Sequence, residues 1–222
     1  MKNIYKVGCE YIDKAQKKAS DDQLLRWLNK DNITIQNCGG IRIKSYTRID
    51  KKITDNLPSS VFLFTEKTNR STGLENPWND SINIINDDIE YWGDAKHDPL
   101  GKKKELLDWN GNRHLNNIYT KIQNNDLFLI PPIFHFTKYK QGKILFNGLF
   151  VIKNLLIEEF NHKSHIIKNY KVILNKLKVD KINLEWINYR SSIDEISELN
   201  NINLMSLIPN EWSNYIKGDI DA

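Results

Sequence analysis

The sequence predicts an α+β domain built on an antiparallel, barrel-like β-sheet with a few helices around it. Three observations support this class. The second half of the chain carries several segments in which apolar and polar residues alternate, as in half-buried strands. Two stretches, 21–29 and 113–123, carry apolar residues at helical spacing. The 222 residues are 40% hydrophobic, which is enough for one domain with a substantial core.

In the first half of the chain, turn residues separate two predicted helices from two short predicted strands. A capping box at 20–23 begins the helix over 21–29, and Asn112 is placed to cap the helix over 113–123. The Gly39-Gly40 pair breaks the chain before the first strand. The predicted strands are 41–43, which alternates, and 61–64, a continuous apolar run typical of a buried strand.

The sequence of the second half predicts mainly β-structure, which is divided by Pro131-Pro132 and by the glycine-containing turns Gln141-Gly142 and Asn147-Gly148. Its predicted strands are 127–130, 133–137, 143–153 (as a pair or as one strand bent at Asn147-Gly148), 170–179 and 182–187. The tail, 192–217, holds two short helical patterns. The sum of these elements predicts a single domain over 1–222.

Charge and cysteine content limit the environment of the chain. There is no apolar run of 18 residues and no signal peptide, so we expect a cytoplasmic protein without a membrane partner. Two cysteines cannot form a disulfide framework, and both are expected to be small buried residues. The net charge of +4 is unevenly spread: residues 138–181 carry 10 basic and 3 acidic residues, whereas 182–222 carry 2 and 7. A lysine block of this kind can follow DNA phosphates, or it can be only a solvated face.

The densest cluster of aromatic and polar residues lies between positions 78 and 113. Aromatic rings stack on an extruded nucleobase, and carboxylate or amide groups pair with its polar edge. We therefore predict a base pocket formed by Trp78, Asp80, Tyr91, Trp92, Asp94 and Asn112. The alternative is that the rings anchor the core and that the Asn and Asp residues form turns.

Basic residues lie within this cluster and after it along the chain. Three consecutive lysines lie within it, and further lysines follow near a predicted β-turn. Basic turns beside an aromatic pocket are suited to holding phosphates while a base is inspected. The predicted phosphate contacts are Lys96, Lys102, Lys103, Lys104, Arg113, Lys138 and Lys140.

Two other functions compete with DNA recognition. Asp88, Asp94 and Lys96 imitate the D…(D/E)-x-K pattern of metal-dependent nucleases, in which two carboxylates hold Mg²⁺ and a lysine orients the attacking water. The same residues therefore predict, as an alternative, a stand-alone nuclease. The third interpretation is a protein-interaction module whose lysines serve only solubility.

Neither the histidines nor any nucleotide-binding motif indicates a further function. His162 and His165, near Glu158 and Glu159, have the spacing of a metal pair, but we expect an exposed polar loop there and predict no metal site. The chain contains no P-loop, dinucleotide-binding or G-x-S-x-G motif, so the usual signals of nucleotide-dependent and hydrolytic enzymes are missing.

The order of motifs along the chain resembles a known family. In sequence come Gly39-Gly40-Ile41-Arg42, Asn76-Pro77-Trp78-Asn79-Asp80, Tyr91-Trp92-Gly93-Asp94, Gly111-Asn112 and Leu184-Glu185-Trp186-Ile187. This order is similar to that of the N-terminal recognition domain of modification-dependent restriction endonucleases of the AspBHI type, and the resemblance spans nearly the whole chain. Its most specific parts are the Tyr-Trp-Gly-Asp stretch, the Gly-Asn pair before a helix, and the Glu-Trp-Ile segment, taken as a strand.

The resemblance implies a fold and a function. The fold would be a curved antiparallel β-sheet or half-barrel, SRA- or PUA-like, with a few peripheral helices. The domain would bind double-stranded DNA, extrude a modified base, most simply a modified cytosine, and hold it in an aromatic pocket. It would be a reader without catalytic residues or cofactor of its own. A sequence-specific reader that needs no modification stays open.

The resemblance also implies what lies beyond the chain. A nuclease domain is expected C-terminal to residue 222, absent from this sequence, and Mg²⁺ would belong to that domain. Any homo-oligomer is expected to form through the missing domain. Trp92 replaces a second tyrosine of the family pattern, which leaves the recognised modification open.

Overall fold

The computed structural model gives a mostly β-structured chain with three α-helices. The structure describes nine stretches, and every structural statement below refers to them: 4–12, 36–38, 40–66, 80–83, 88–96, 104–140, 143–162, 165–200 and 206–220.

Eleven strands and three α-helices make up the described fold. The strands are β1 (Ile4–Lys6), β2 (Glu10–Ile12), β3 (Gln36–Cys38), β4 (Ile41–Lys44), β5 (Ser60–Glu66), β6 (Ser81–Asn83), β7 (Asp88–Trp92), β8 (Ile133–Lys140), β9 (Lys143–His162), β10 (His165–Lys176) and β11 (Lys181–Asn183). The helices are α1 (Asn110–Gln123), α2 (Leu184–Ser192) and α3 (Asn210–Lys217), with 3₁₀ turns at Leu106–Asp108, Leu127–Leu129 and Ile196–Asn200.

Nine of the strands form one open, curved sheet. Its order is β3-β4-β5-β8-β9-β10-β7-β6, and β2 pairs with the beginning of β9. All pairs in this sheet are antiparallel except β5 with β8, which run parallel. β1 and β11 form a separate two-stranded ribbon. The predicted α+β class with a curved sheet is confirmed, and the prediction of a purely antiparallel sheet is corrected at the β5–β8 pair.

The core lies where β5, β8 and β9 meet the C-terminal helices. Phe62 of β5 stacks on Phe134 of β8 with ring centroids 5.4 Å apart, and Trp186 of α2 packs edge-on to Phe134 at 6.0 Å. Trp212 of α3 lies 5.8 Å from Trp186. Each of these rings is at most 2% exposed. Because α2 and α3 cover this face, the opposite face of the sheet is left to carry the polar groups described below.

Several predicted elements are present with small changes in their ends. Strands over 41–43, 61–64 and 133–137 are observed as β4, β5 and β8. Segment 143–153 is not a strand pair: it belongs to one 20-residue strand, β9, whose irregularity falls at the predicted bend, Asn147-Gly148. Gly148, with φ +132°, lets this strand continue through an irregularity opposite His135. The predicted helix over 21–29 lies outside the described residues.

Segment 127–130 is a 3₁₀ turn and not the predicted strand. Pro131 and Pro132 follow it and have no N–H to give a sheet partner. Its carbonyls instead face the buried guanidinium of Arg190, whose Nη2 donates to Ile130 O at 2.7 Å. The buried cation therefore takes the acceptors that a neighbouring strand would need.

The predicted strand over 182–187, and with it the Glu-Trp-Ile segment of the family resemblance, is corrected to a strand end followed by a helix. β11 stops at Asn183, whose Oδ1 accepts from Glu185 N at 3.0 Å and caps α2. From there, Leu184 and Ile187 are buried on one helical face. The apolar residues at 182, 184 and 186 alternate in a way that is compatible with a strand. The cap formed by Asn183 stabilises a helix there instead.

Two single-residue predictions are also corrected. α1 begins at Asn110 with Trp109 as N-cap, so Asn112 lies within its first turn and does not cap it. Cys9 is exposed, because it follows the turn at Val7-Gly8 instead of lying in a strand of the core.

Candidate functional site

Asp94 joins the end of β7 to the first turn of α1. Its Oδ2 accepts from Gly111 N and its Oδ1 accepts from Asn112 N, both at 2.9 Å. In return, Asn112 Oδ1 accepts from Asp94 N at 2.9 Å. A carboxylate at a helix N-terminus satisfies N–H groups that have no partner within the helix and is favoured by the helix dipole. We call this arrangement of Asp94, Gly111 and Asn112 the Asp94 clasp.

Asn112 extends the clasp into the sheet. Its Nδ2 donates to Leu106 O and to Asn169 Oδ1, both at 3.2 Å, and Asn169 Nδ2 donates to Gly93 O at 3.0 Å. Both asparagine side chains are fully buried. A Cβ on Gly93 would collide with the Oδ1 atoms of Asn112 and Asn169, so this close approach needs a glycine. The Gly-Asp and Gly-Asn motifs are thus two halves of one buried contact.

The hydrogen bonds of the clasp limit what Asp94 and Asn112 can do in the predicted base pocket. Burial raises the pKa of Asp94, while the N–H groups of Gly111 and Asn112 act to lower it. Both carboxylate oxygens of Asp94 and the whole amide of Asn112 are directed at protein groups. These two residues therefore position the β7–α1 connection, and a base edge would have to replace existing bonds to reach them.

Asp80 makes a different contact, across the open side of the sheet. Its Oδ1 accepts from Trp92 N of β7 at 2.8 Å, and its Oδ2 accepts from Thr65 Oγ1 of β5 at 2.9 Å. Three strands, β8, β9 and β10, separate β5 from β7 in the sheet. One half-buried carboxylate therefore connects two strands that share no backbone ladder.

Tyr91 also reaches from β7 to β5. Its ring is 2% exposed, its hydroxyl hydrogen-bonds to the backbone of Phe64, and a Cβ on Gly40 would lie 2.6 Å from that hydroxyl. Burial raises the pKa of Tyr91 well above its usual value, and the charges of Asp80 and Asp94 raise it further. We call the line where Thr65, Asp80 and Tyr91 bring β5 and β7 together the seam.

A chain of buried polar groups continues from the seam into the sheet. Thr65 Oγ1 lies 2.9 Å from His135 Nε2, and Asn147 Nδ2 lies 2.7 Å from His135 Nδ1. Since the Asn147 amide donates, His135 accepts at Nδ1 and carries its proton on Nε2, donating to Thr65, which in turn donates to Asp80. His135 is completely buried, and burial lowers its pKa to about 3, so it is neutral.

Sequence reasoning did not find this chain of polar groups. The signal was present: Thr65, His135 and Thr137 lie next to the buried apolar residues of β5 and β8 in sequence. Each is at most 3% exposed, and buried polar side chains need hydrogen-bond partners. Asn147 supplies one of them, donating to Thr137 Oγ1 at 2.7 Å.

Tyr91 and Trp92 point to opposite faces of β7, as successive strand residues do. Tyr91 lies 6.3 Å from the His135 ring, whereas Trp92 contacts Phe160 edge-on at 5.9 Å. Trp92 is half-buried and Tyr91 is buried. The two rings cannot sandwich one base, and of the two only Trp92 has a surface that a ligand can reach.

Cations surround two aromatic rings near the seam. Lys104 Nζ lies 4.4 Å and Lys96 Nζ 5.9 Å from the centre of the Trp109 ring. Arg42 of β4 and Lys138 of β8 both lie over the ring of Phe64 on β5, at 4.2 and 5.4 Å. Arg42 was not among the predicted phosphate contacts, although it lies in the Gly-Gly-Ile-Arg motif.

The structure describes only some of the remaining predicted site residues. Trp78, Lys102 and Lys103 lie outside the described residues, and for Lys140 only the strand backbone is described. Arg113 is exposed on α1, with Nε donating to Leu107 O at 3.0 Å.

The nuclease alternative finds little support in the geometry. Asp94 uses both oxygens in the clasp, and Asp88 lies within β7 opposite Asn175 of β10. In the part of the chain that the structure describes, no group of three or more His, Cys, Asp or Glu side chains is placed to hold a metal ion.

His162 and His165 lie in paired strands and not in the predicted loop, while residues 163 and 164 lie outside the described residues. The two residues face each other across β9 and β10, and the ladder continues inward from them. Separately, no helix of the described structure has the length and apolar character needed to cross a membrane.

Comparison with known proteins supplies a family match. The family model described as "Restriction endonuclease AspBHI N-terminal" matches residues 5–221. A search of curated proteins gives no match.

Solved structures share the fold at low sequence identity. The "DNA modification-dependent restriction endonuclease AspBHI" aligns with a TM-score of 0.70 and 19% identity, over 97% of this chain and 91% of that one. The "DNA recognition domain of the cytosine modification-dependent restriction endonuclease LpnPI" gives 0.64 and 19%, over 93% and 92%. The "MspJI Restriction Endonuclease in Complex with 27-mer Oligonucleotide" gives 0.73 and 15%, over 97% of this chain but 52% of that one, so the chain spans about half of that enzyme.

Proposed function

Because the chain belongs to the family of N-terminal domains of AspBHI-type restriction endonucleases, we propose that it binds double-stranded DNA and recognises a modified base, most simply a modified cytosine. Recognition of this kind directs a nuclease to modified DNA. The nuclease activity, its Mg²⁺ and any association of two copies are assigned to other parts of a longer protein. The solved relatives named for DNA modification and for an oligonucleotide complex support the proposal.

The observation that carries the proposal is the seam. Elsewhere in the sheet, neighbouring strands are joined by backbone ladders, but β5 and β7 are joined by the side chains of Asp80 and Tyr91. A base inserted at this line would meet a carboxylate and would not have to break a ladder.

Asp80 is the residue that we assign to the base edge. Cytosine presents an N4 amino group, which donates hydrogen bonds and which a carboxylate accepts. A carboxylate has about four acceptor positions, so Asp80 can accept from a base while it keeps Thr65 and Trp92 N. The contacts to Thr65 and Trp92 help to fix the orientation of the carboxylate before a base arrives, which lowers the entropy cost of binding.

Stacking and phosphate contacts complete the proposed site. Trp92 and Trp78 are the proposed stacking rings, while Tyr91, Asp94 and Asn112 hold the walls. Lys96 and Lys104 beside Trp109, and Lys138 beside Phe64, are proposed to contact phosphates, together with Arg113, Lys102, Lys103 and Lys140. Base extrusion is part of this proposal, since a carboxylate at the seam cannot reach a base inside the duplex.

A gel-shift panel tests the function. One duplex sequence is prepared with unmodified, 5-methyl, hydroxymethyl or glucosylated cytosine, or with N6-methyladenine. We expect one cytosine modification to bind at least about tenfold more tightly than the unmodified duplex. Equal binding to all five duplexes would instead indicate a reader that needs no modification. No retention of any duplex at low salt would leave the interaction-module interpretation.

Asp80→Asn tests the site within the same panel. The amide cannot accept at both positions, so the preference for the modified duplex should fall about tenfold or more. Asp219→Asn, an exposed aspartate next to the C-terminal end of α3, is the matched control and should bind like the original chain. Incubation with plasmid DNA and Mg²⁺ tests the nuclease alternative, which would be favoured by cutting that disappears in Asp94→Ala.

A further inference from the structure

A polar cavity lies on the other side of α1 from the Asp94 clasp. It has a volume of about 340 Å³ and is enclosed by the end of β4, the segment 45–58 and the first two turns of α1. Asn110, Arg113, His114 and Asn117 line it from the helix, at the i, i+3, i+4 and i+7 spacing of one helical face. Gly111 and Asn112, which lie between them in sequence, belong to the clasp. One side of α1 therefore anchors the helix to β7, and the other side lines the cavity.

The charge in this cavity has one sign. Its lining contains two cations, Lys51 and Arg113, and no Asp or Glu among the described residues. The nearest acidic residues in sequence are used elsewhere: Asp50 Oδ1 accepts from Lys52 N at 2.8 Å, and Asp55 pairs with Lys121 at 2.6 Å. Within the described residues neither of these exposed cations has a counter-ion, and such a pair favours an anionic ligand between them.

His114 lines the cavity together with Lys51 and Arg113. Burial lowers the pKa of His114, and the positive charges of Arg113 and Lys51 lower it further. His114 Nδ1 is buried and has no hydrogen-bond partner in the described part of the chain. A buried polar atom without a partner is costly, and a ligand in the cavity removes that cost if the imidazole turns Nδ1 toward it.

Arg113 is held in position for such a ligand. Its Nε donates to Leu107 O at 3.0 Å, which fixes the plane of the guanidinium. Within the described residues, its terminal nitrogens have no protein acceptor. A fixed guanidinium binds phosphate oxygens with two parallel hydrogen bonds, and Lys51 adds a second positive charge across the opening. The helix N-terminus itself is not the site, because Asp94 already takes the N–H groups of Gly111 and Asn112.

The size and floor of the cavity specify more than a bare ion. A volume of 340 Å³ exceeds that of one phosphate group, and the floor is apolar, formed by Ile43, Ile49 and Leu57. We propose that this cavity binds a nucleotide through its phosphate, which lies between Lys51 and Arg113, while the sugar or ring rests on the apolar floor. The nucleotide is either free in solution or part of bound DNA, and only the second case rests on the proposed function.

NMR titration of the ¹⁵N-labelled chain with free dCMP is the first test. We expect dCMP to shift the backbone amides of 43–58 and 110–117, and deoxycytidine, which has no phosphate, to shift them much less. Lys51→Gln and Arg113→Gln should each weaken dCMP binding about tenfold. Both residues are exposed, so the variants are expected to fold. Lys143→Gln, whose lysine pairs with Glu10 at 3.0 Å on the β2–β9 edge, is the control and should bind dCMP normally.

The same variants identify the source of the nucleotide. If dCMP causes no shift but a modified duplex shifts these amides, and Lys51→Gln lowers the salt dependence of duplex binding by about one log–log unit, the nucleotide belongs to DNA. If dCMP binds and no duplex does, the cavity stands and the proposed DNA function fails. The inference is overturned if neither ligand shifts these amides, if deoxycytidine acts like dCMP, or if both variants bind as tightly as the original chain.

Discussion

Asp94 and Asn112 hold each other by a reciprocal pair of hydrogen bonds, in which the backbone N–H of each residue donates to the side-chain oxygen of the other at 2.9 Å. One partner follows strand β7 and the other lies in the first turn of α1. The pair therefore fixes the direction in which the chain leaves the sheet and the place where the helix begins.

Replacing Asn112 by Ala should destabilise the domain more than a typical surface change. The variant loses three hydrogen bonds and leaves the buried N–H of Asp94 without its acceptor. The expected loss is at least about 2 kcal/mol of unfolding free energy, measured by urea denaturation. Asn214→Ala, at an exposed position of α3, should stay within about 0.5 kcal/mol. Equal midpoints for the two variants would contradict a structural role of the clasp.

The stability of the domain should depend on pH through His135. Burial holds the pKa of His135 near 3, below its ordinary value of 6.5, so between these values the unfolded chain binds a proton that the folded chain does not. This contribution to stability is fully present above pH 6.5 and is lost as the pH falls below it, by up to about 1.4 kcal/mol per pH unit.

The contribution of His135 is isolated by comparing variants over pH 4.5–7.5. His135→Gln should be less stable at neutral pH, and its unfolding free energy should fall less steeply with acid than that of the original chain. His165→Gln, at an exposed strand position, should keep the original slope. Parallel pH profiles for the original chain and His135→Gln would show that His135 is not held neutral by burial.

DNA binding should lose salt dependence when Lys104 is replaced. Lys104 lies over the Trp109 ring beside the clasp, where we propose a phosphate contact. Lys104→Gln should reduce the slope of log affinity against log salt by about one unit and weaken all duplexes alike. Lys217→Gln, at the end of α3 in the acidic C-terminal part, should leave the slope unchanged. A change in modification preference without a change in slope would place Lys104 at the base and not at a phosphate.

The sequence allowed prediction of the elements whose signal is local. β4, β5 and β8 follow from short apolar or alternating runs, and α1 from its helical face. Segment 182–187 was wrong because Ile182, Leu184 and Trp186 fit a strand, while the cap formed by Asn183 favours a helix. The 3₁₀ turn at Leu127–Leu129 depends on Arg190, more than sixty residues later in the chain. Local patterns do not contain that contact.

The candidate site could be predicted in its composition but not in its division of labour. Tyr91, Trp92 and Asp94 are adjacent in sequence, yet the strand turns the two rings to opposite faces and Asp94 is bound to α1. Thr65, Asp80 and His135 come from three separate segments and meet only because the sheet curves. Which of several polar residues faces a gap is a property of the closed sheet.

The way in which β5 and β7 meet also determines how the domain can deform. Separating two strands of a ladder breaks a whole row of backbone hydrogen bonds, but parting β5 from β7 breaks the Thr65–Asp80 bond and the bond of Tyr91 to Phe64 and leaves every ladder intact. The gap can therefore widen at a cost far below that of global unfolding. Because Asp80 directly precedes β6, which stays paired with β7, the Trp92 amide should keep its acceptor and its protection from hydrogen exchange while the gap widens.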